Sequence, residues 1–400
     1  MHSARLLAVC ALNIAVLSAC TPGGAVLPAG GATVPPEAPT PAEQAPSATA
    51  PDPTALASPT AYSMPEAFPL SEPGTYFASN TSLILVDNSR NGREVRVTLW
   101  YPALKETDEE GHLKIRNAAP DRSRAPYPLI LTGANSGDLL FRSHPASYGF
   151  VMVIVHSPGF SYTAPWNNAV IDAPLDFLFA LDVLTSNPPK GLDGILDTDR
   201  VGVAGYSSDG LFSLALGGAR INPQYYFSQC AQAPNMDPPL NPFWIEYFCS
   251  LSEGWGEFSS QVGAGISTVS DGLWQPTTDD RILAVMPMAP DSAWLYGPEG
   301  LAAIHVPSMI IAGTADDLVS YEMTSCYVYE HLVNSDRALI SFIGKDHMMV
   351  EDEEVIRRID HFAVAFLGYY LQGREDYAKY FSEEFVAHQD GLAWGVYEGE

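Results

Sequence analysis

Short apolar runs and helical patterns alternate along the chain from about residue 70 onward. The apolar runs are rich in β-branched and aromatic residues and are bounded by turn-forming residues, which is typical of strands. Eight runs are predicted as strands, at residues 82–86, 94–101, 129–132, 150–156, 201–204, 282–288, 308–312 and 338–343. Helices are predicted between most of them, at about residues 170–186, 209–219, 321–333 and 352–371.

The order and composition of these elements predict an α/β fold with a mostly parallel, eight-stranded sheet and helices on both faces. The first two runs flank Asn91-Gly92, a hairpin signal, whereas the late runs are almost continuously apolar, as in parallel strands covered on both sides. An aromatic-rich insertion at about residues 221–280 is expected to form either a cap over the site or a packed subdomain. Ligands of such sheets bind beyond the carboxyl ends of the strands.

The N-terminal segment has the pattern of an export signal. Arg5 precedes a short apolar run at residues 6–17, and small residues follow it, which predicts a secretory signal over residues 1–19. The run is too short for a transmembrane helix. Leu-Ser-Ala before Cys20 resembles the bacterial lipobox, which implies that Cys20 carries lipid and becomes the mature N-terminus. The alternative is an ordinary signal peptide cleaved nearby.

Composition then divides the mature chain into a tether and a globular domain. Residues 20–70 are rich in Pro, Ala and Thr and predict a disordered tether, so the folded domain is expected at residues 71–400. The net charge of −27 argues against nucleic acid and anionic membrane as partners. We therefore expect an extracytoplasmic protein that contacts the membrane only through its N-terminal lipid, with its oligomeric state left open.

Three cysteines remain in the expected folded domain. Cys230 and Cys249 lie close together in a loop-rich stretch, which is compatible with a disulfide in an oxidising compartment. Cys326 lies in a helical pattern and is expected to be a buried free thiol. The spacing of cysteines and histidines predicts no metal site.

The stretch from residue 200 to 210 contains the strongest functional signal. A short β-branched run ends at Gly205, Ser207 follows two residues later, and a helical pattern begins at Leu211. This is the arrangement of a nucleophile elbow, in which a sharp strand-to-helix turn exposes the serine. The usual motif is G-x-S-x-G, but this chain has Asp209 at the last glycine and Gly210 one place later.

Residues after three other strands complete a catalytic constellation. Asp316 follows the seventh predicted strand and His347 the eighth, so Ser, Asp and His occur in the chain order of α/β-hydrolases. Such a triad needs a histidine base near the serine and a carboxylate that fixes the imidazole tautomer. The backbone amides of Ala134, after the third strand, and of Ser208 are candidate oxyanion donors.

These segments resemble the α/β-hydrolase family of platelet-activating-factor acetylhydrolase and dienelactone-hydrolase-like proteins, close to bacterial cutinase-type polyester hydrolases. The resemblance implies an α/β-hydrolase fold and cofactor-free cleavage of small-molecule or polymeric carboxylic esters. It implies Ser207 as nucleophile, Asp316 as acid and His347 as base, and the family's paired cysteines fall at Cys230 and Cys249. The likeness spans roughly residues 75–395 and is carried by residues 95–102, 172–184, 197–205, 297–301 and 306–307.

Several alternatives stay open. Asp209 is expected to slow acylation, to alter the pKa of His347 or to point into solvent. Asp291, after the sixth predicted strand, and Asp317 are alternative acids. Thr132 stands where the family usually has the histidine of a His-Gly pair. Loss of that histidine is tolerable if backbone amides bind the oxyanion. The competing functions are a catalytically silent lipoprotein used for binding and a serine peptidase of the prolyl-oligopeptidase kind.

Overall fold

The computed structural model describes residues 68–158, 169–236 and 242–399, all within one structural unit, Met64–Glu400. The predicted signal segment, Cys20 and nearly all of the predicted tether lie outside these residues. Among the helices that the structure describes, none has both the length and the apolarity needed to cross a membrane.

The described residues form one sheet of nine strands. Its strands are β1 Phe77–Asp87, β2 Arg93–Ala103, β3 Tyr127–Gly133, β4 Val151–His156, β5 Leu196–Tyr206, β6 Ile282–Met288, β7 Ser308–Gly313, β8 Arg337–Phe342 and β9 Leu392–Trp394. They lie in the order β1-β2-β4-β3-β5-β6-β7-β8-β9. The six strands β3 to β8 are parallel to one another, whereas β1, β2 and β9 pair antiparallel with their neighbours. The prediction of a mostly parallel α/β sheet is confirmed.

The predicted number of eight strands is wrong because β9 was missed. This strand has only three residues, too few to show an alternating pattern, and it pairs with the end of β8. Two hydrogen bonds extend the pairing, since the Gly395 N–H donates to the Leu339 carbonyl at 2.8 Å and the Ser341 hydroxyl donates to the Gly395 carbonyl at 2.8 Å.

Helices connect the strands and cover both faces of the sheet. The α-helices are α1 Ala134–Ser136, α2 His144–Ser147, α3 Ala169–Ser186, α4 Ser208–Leu216, α5 Pro223–Gln232, α6 Pro242–Phe248, α7 Ser250–Glu253, α8 Trp255–Val262, α9 Ala264–Ser267, α10 Gly297–Leu301, α11 Tyr327–His331, α12 Glu353–Gln372 and α13 Glu383–Ala387. Shorter 3₁₀ and π turns add Asn88–Arg90, Gly137–Phe141, Ala233–Asn235, Ala293–Leu295, Glu322–Cys326, His347–Glu351 and Glu375–Phe381. The helix predicted at residues 321–333 is therefore a π turn followed by α11.

The core has two sides because the parallel strands are buried on both faces. All residues of β3 and β7 are buried, and so are all residues of β8 except the first. This burial explains their continuous apolar sequence. Phe362 and Phe366 of α12 pack on one face, and Phe177 and Leu181 of α3 pack on the other. The helix α12 begins at an Asp352 cap and ends before Gly373, whose φ of 67° is left-handed.

The folded part of the chain begins slightly earlier than the sequence predicts. Leu70 is buried, and its N–H donates to His361 Nδ1 at 3.1 Å. The Phe68 ring packs edge-on against the His361 ring at 5.3 Å. Burial lowers the pKa of His361 to about 3, so this imidazole is a neutral part of the core. The domain therefore starts no later than Phe68 rather than at residue 71.

The insertion between α4 and β6 contains a packed aromatic cluster, as one of the two expected alternatives has it. Tyr226, Trp255 and Trp274 pack ring against ring at centroid distances of 5.1 to 5.6 Å, which is the packed subdomain. The predicted disulfide is confirmed, because Cys230 and Cys249 are bonded and tie α5 to the end of α6. The helix α6 also reaches the edge of the sheet that carries the candidate site, as described below.

Candidate active site

Ser207 occupies a sharp turn between β5 and α4. Its φ of 59° and ψ of −120° place a non-glycine residue in a strained region. The turn is held because the Ser207 N–H donates to the Met288 carbonyl of β6 at 2.9 Å. A Cβ at Gly205 would overlap the Asp209 backbone, so this turn requires glycine there. The structure thus has the elbow that the motif predicts.

Three side chains from distant parts of the chain meet at this turn. His347 Nε2 lies 3.1 Å from Ser207 Oγ, and His347 Nδ1 lies 2.8 Å from Asp316 Oδ2. The other oxygen of Asp316 accepts hydrogen bonds from the Leu318 and Val319 N–H groups at 3.1 and 3.0 Å. His347 and Asp316 are both buried. The imidazole therefore lies between the serine hydroxyl and a carboxylate whose orientation is fixed by two backbone donors.

The two other candidate acids lie elsewhere. Asp317 is exposed, and the hydrogen bond of His347 Nδ1 is to the neighbouring Asp316 instead. Asp291 is only 1% exposed, and its Oδ2 accepts from the Tyr247 hydroxyl of α6 at 3.0 Å and from the Ser208 hydroxyl at 3.4 Å. Of the three candidate carboxylates, Asp316 is the one within hydrogen-bond distance of the imidazole.

Tyr206 supports the histidine in a way that the sequence analysis missed. Its hydroxyl donates to the His347 carbonyl at 2.8 Å, and the two rings lie 5.1 Å apart. Burial raises the pKa of Tyr206 well above its usual value, so the hydroxyl stays protonated and remains a donor. The only available signal was its position next to Ser207.

The candidate oxyanion donors lie at the carboxyl ends of two neighbouring strands. Ala134 is the first residue of α1, directly after β3, and Ser208 is the first residue of α4, shortly after β5. Strands β3 and β5 pair in parallel, so both amides belong to the same edge of the sheet. Neither N–H has an acceptor among the described residues, as expected at helix N-termini.

Asp209 is buried and faces the segment at the carboxyl end of β3. This segment, residues 133–137, includes the single turn α1 and is called the loop after β3. Asp209 is 5% exposed, and its Oδ2 accepts hydrogen bonds from the Ser136 N–H at 2.9 Å and the Ser136 hydroxyl at 2.8 Å. Burial raises the pKa of Asp209 to about 6, although the bonds from Ser136 lower it. The alternative that this side chain points into solvent is therefore wrong.

Metal-ligating side chains approach one another at one place among the described residues. Asp108, Glu110 and His112 form an exposed cluster in the loop after β2. Asp108 Oδ1 already accepts from the Glu110 and His112 N–H groups at 3.0 and 2.8 Å. The cluster makes no contact with Ser207 or His347 and has no part in the candidate site.

Asp291 should make the stability of the protein depend on pH. Burial raises the pKa of its carboxyl to about 7, although the Tyr247 hydroxyl and the charge of His347 lower it. The folded state therefore holds this proton more tightly than the unfolded state, and stability from this group falls as pH rises from about 4 to about 7. Asp291→Asn removes that titration, so we expect its stability relative to wild type to rise by on the order of 3 kcal/mol between pH 4.5 and 8.

Chemical denaturation at the two pH values measures this change. Asp317→Asn, at an exposed position, is the matched control for the loss of one carboxyl group. A difference for Asp291→Asn that does not vary with pH would show that Asp291 has an ordinary pKa in the folded protein.

No protein-family model and no curated protein matches this chain. The resemblance to α/β-hydrolases therefore remains an expectation from the sequence.

Proposed function

We propose that this protein is a serine hydrolase with the α/β-hydrolase fold that cleaves carboxylic esters. The observation that carries the proposal is the continuous hydrogen-bond chain from Ser207 through His347 to Asp316, at 3.1 and 2.8 Å. The positions of these residues after β5, β8 and β7 support it, because they follow the chain order Ser, Asp, His of that fold. The strained elbow supports it as well, since strain of this kind concentrates at functional sites.

The acylation step follows from this geometry. Ser207 Oγ attacks the carbonyl carbon of the ester while His347 Nε2 takes the serine proton. Asp316 accepts the Nδ1–H and stabilises the imidazolium that forms. The amides of Ala134 and Ser208 would bind the negative oxygen of the tetrahedral intermediate, a contribution of about 3 kcal/mol for each donor in comparable sites.

Collapse of this intermediate releases the alcohol and leaves an acyl-enzyme. His347 returns the proton to the leaving oxygen, and the acyl group stays bonded to Ser207 Oγ. His347 then takes a proton from a water molecule, whose oxygen attacks the acyl carbon and releases the carboxylic acid. The serine recovers its proton, so the cycle needs no cofactor.

The charge of the chain favours neutral substrates over anionic ones. A net charge of −27 repels polyanions over distances of about a Debye length. The proposal therefore concerns neutral esters, as small molecules or polymers. It includes export and lipid attachment at Cys20, which lies outside the described residues.

Fluorophosphonate labelling of the purified folded domain, with peptide mapping, tests the proposal. We expect one covalent adduct on Ser207 and turnover of p-nitrophenyl esters between acetate and octanoate. An unlabelled, well-folded protein would favour the silent binding protein instead. Labelling together with cleavage of peptides but not of esters would favour the serine peptidase.

A further inference from the structure

Asp209 connects the two segments that carry the candidate oxyanion donors. Its Oδ2 accepts two hydrogen bonds from Ser136, and Ser136 Oγ in turn accepts from the Tyr206 N–H at 2.8 Å. These partners are 70 to 73 positions apart in the sequence. Three hydrogen bonds therefore join the loop after β3 to the end of β5 and the first turn of α4.

The loop is shaped around this carboxylate. A Cβ at Gly133 would overlap the carboxylate of Asp209, so only glycine leaves room for it. Asp209 and Ser136 are both buried, and hydrogen bonds to an ionised acceptor are stronger than neutral ones. Glycine, the usual residue at position 209 of the motif, would make none of these contacts.

The ionised carboxylate of Asp209 is costly to bury. The raised pKa of Asp209 means that burial destabilises the ionised form in the folded protein. A residue that is costly to bury, and that stands where glycine is usual, is more easily explained by the site than by the core.

We propose that Asp209 is a positioning residue that holds the loop after β3 against the elbow and so sets the position of the Ala134 N–H relative to that of Ser208. The inference rests on the proposed function, because these two amides are the candidate oxyanion donors. Stabilisation of an oxyanion depends on donors that are in place before the reaction begins. Loss of Asp209 should therefore reduce kcat more than it changes KM.

The test compares Asp209→Ala, Asp209→Asn and Ser213→Ala by ester kinetics and by hydrogen exchange of residues 133–137. For Asp209→Ala we expect kcat for p-nitrophenyl butyrate to fall about 10- to 100-fold, KM to stay within about threefold, and the loop amides to exchange about tenfold faster. Asp209→Asn keeps an oxygen that accepts from Ser136, so it should recover most of the wild-type kcat and most of the slow exchange of the loop amides.

Ser213→Ala is the matched control. This substitution removes a buried hydroxyl of α4 that donates to the Asp209 carbonyl at 2.8 Å. The Ser213 hydroxyl does not bond to the loop after β3. The substitution should change neither kcat nor loop exchange, even if it lowers the thermal transition. A comparable fall in kcat for this variant would mean that general loosening of α4, not the Asp209 side chain, is responsible.

The two measurements separate failure of the inference from failure of the proposed function. Unchanged loop exchange in Asp209→Ala overturns the inference, whether or not the protein hydrolyses esters. Faster exchange with unchanged kcat also overturns it, because the loop position would then not matter for catalysis. If the wild type neither reacts with fluorophosphonate nor hydrolyses esters, the proposed function fails. Faster loop exchange in Asp209→Ala would then show that Asp209 orders the loop after β3 but has no role in catalysis.

Discussion

Ser207→Ala should abolish ester hydrolysis, with a fall in kcat of at least about 10⁴-fold, because losing the nucleophile of a comparable triad costs about 10⁶-fold. The serine hydroxyl contacts His347, and Ser207 is half-buried between two buried neighbours. Ser207→Ala removes one hydrogen bond and no packed apolar group, so the free energy of unfolding should fall by only about 1 kcal/mol. Steady-state kinetics with p-nitrophenyl esters and a thermal melt measure both quantities.

The neighbouring serine provides a matched control for this experiment. Ser208→Ala keeps the backbone amide at that position and removes a hydroxyl whose bond is to Asp291, not to His347. It should retain most of the activity and still react with a fluorophosphonate. Substantial turnover by Ser207→Ala would remove Ser207 as the nucleophile and with it the proposed mechanism.

The local features of the site could be predicted because their signals are local. The elbow is encoded within residues 200–210, where Gly205 permits the sharp turn at Ser207. Asp316 and His347 can be predicted because parallel strands bring the residues after their carboxyl ends to one edge of the sheet. The strand positions followed from apolar runs, although β1 and β2 each extend to 11 residues, well beyond the predicted runs.

The features that the sequence analysis missed depend on contacts between distant residues. The bonds from Asp209 to Ser136, from Tyr206 to His347 and from Tyr247 to Asp291 join positions 73, 141 and 44 residues apart. Periodicity within one element contains no information about such pairs. The motif alone therefore indicates only that Asp209 replaces a glycine, and the segment to which Asp209 bonds is visible only in the folded structure.

Asp316→Asn should reduce kcat about 10³- to 10⁴-fold, because the asparagine would hold His347 in the wrong tautomer. The N–H groups of Leu318 and Val319 donate to one oxygen of Asp316. An asparagine would place its carbonyl oxygen there and turn its NH₂ group toward Nδ1 of the imidazole. The Nδ1 atom would then have to accept, the proton would move to Nε2, and the base facing Ser207 would be lost.

Asp317→Asn and Asp291→Asn complete the comparison, since all three aspartates are candidate acids. Asp317 is exposed, so its substitution should leave kcat and KM unchanged. Asp291 bonds to Tyr247 and Ser208, so its substitution should lower kcat by less than about tenfold while it changes the pH dependence of stability. A larger loss in Asp291→Asn than in Asp316→Asn would move the acid of the triad from the end of β7 to the end of β6. The hydrogen bond between His347 and Asp316 would then be a feature of the resting protein that the reaction does not use.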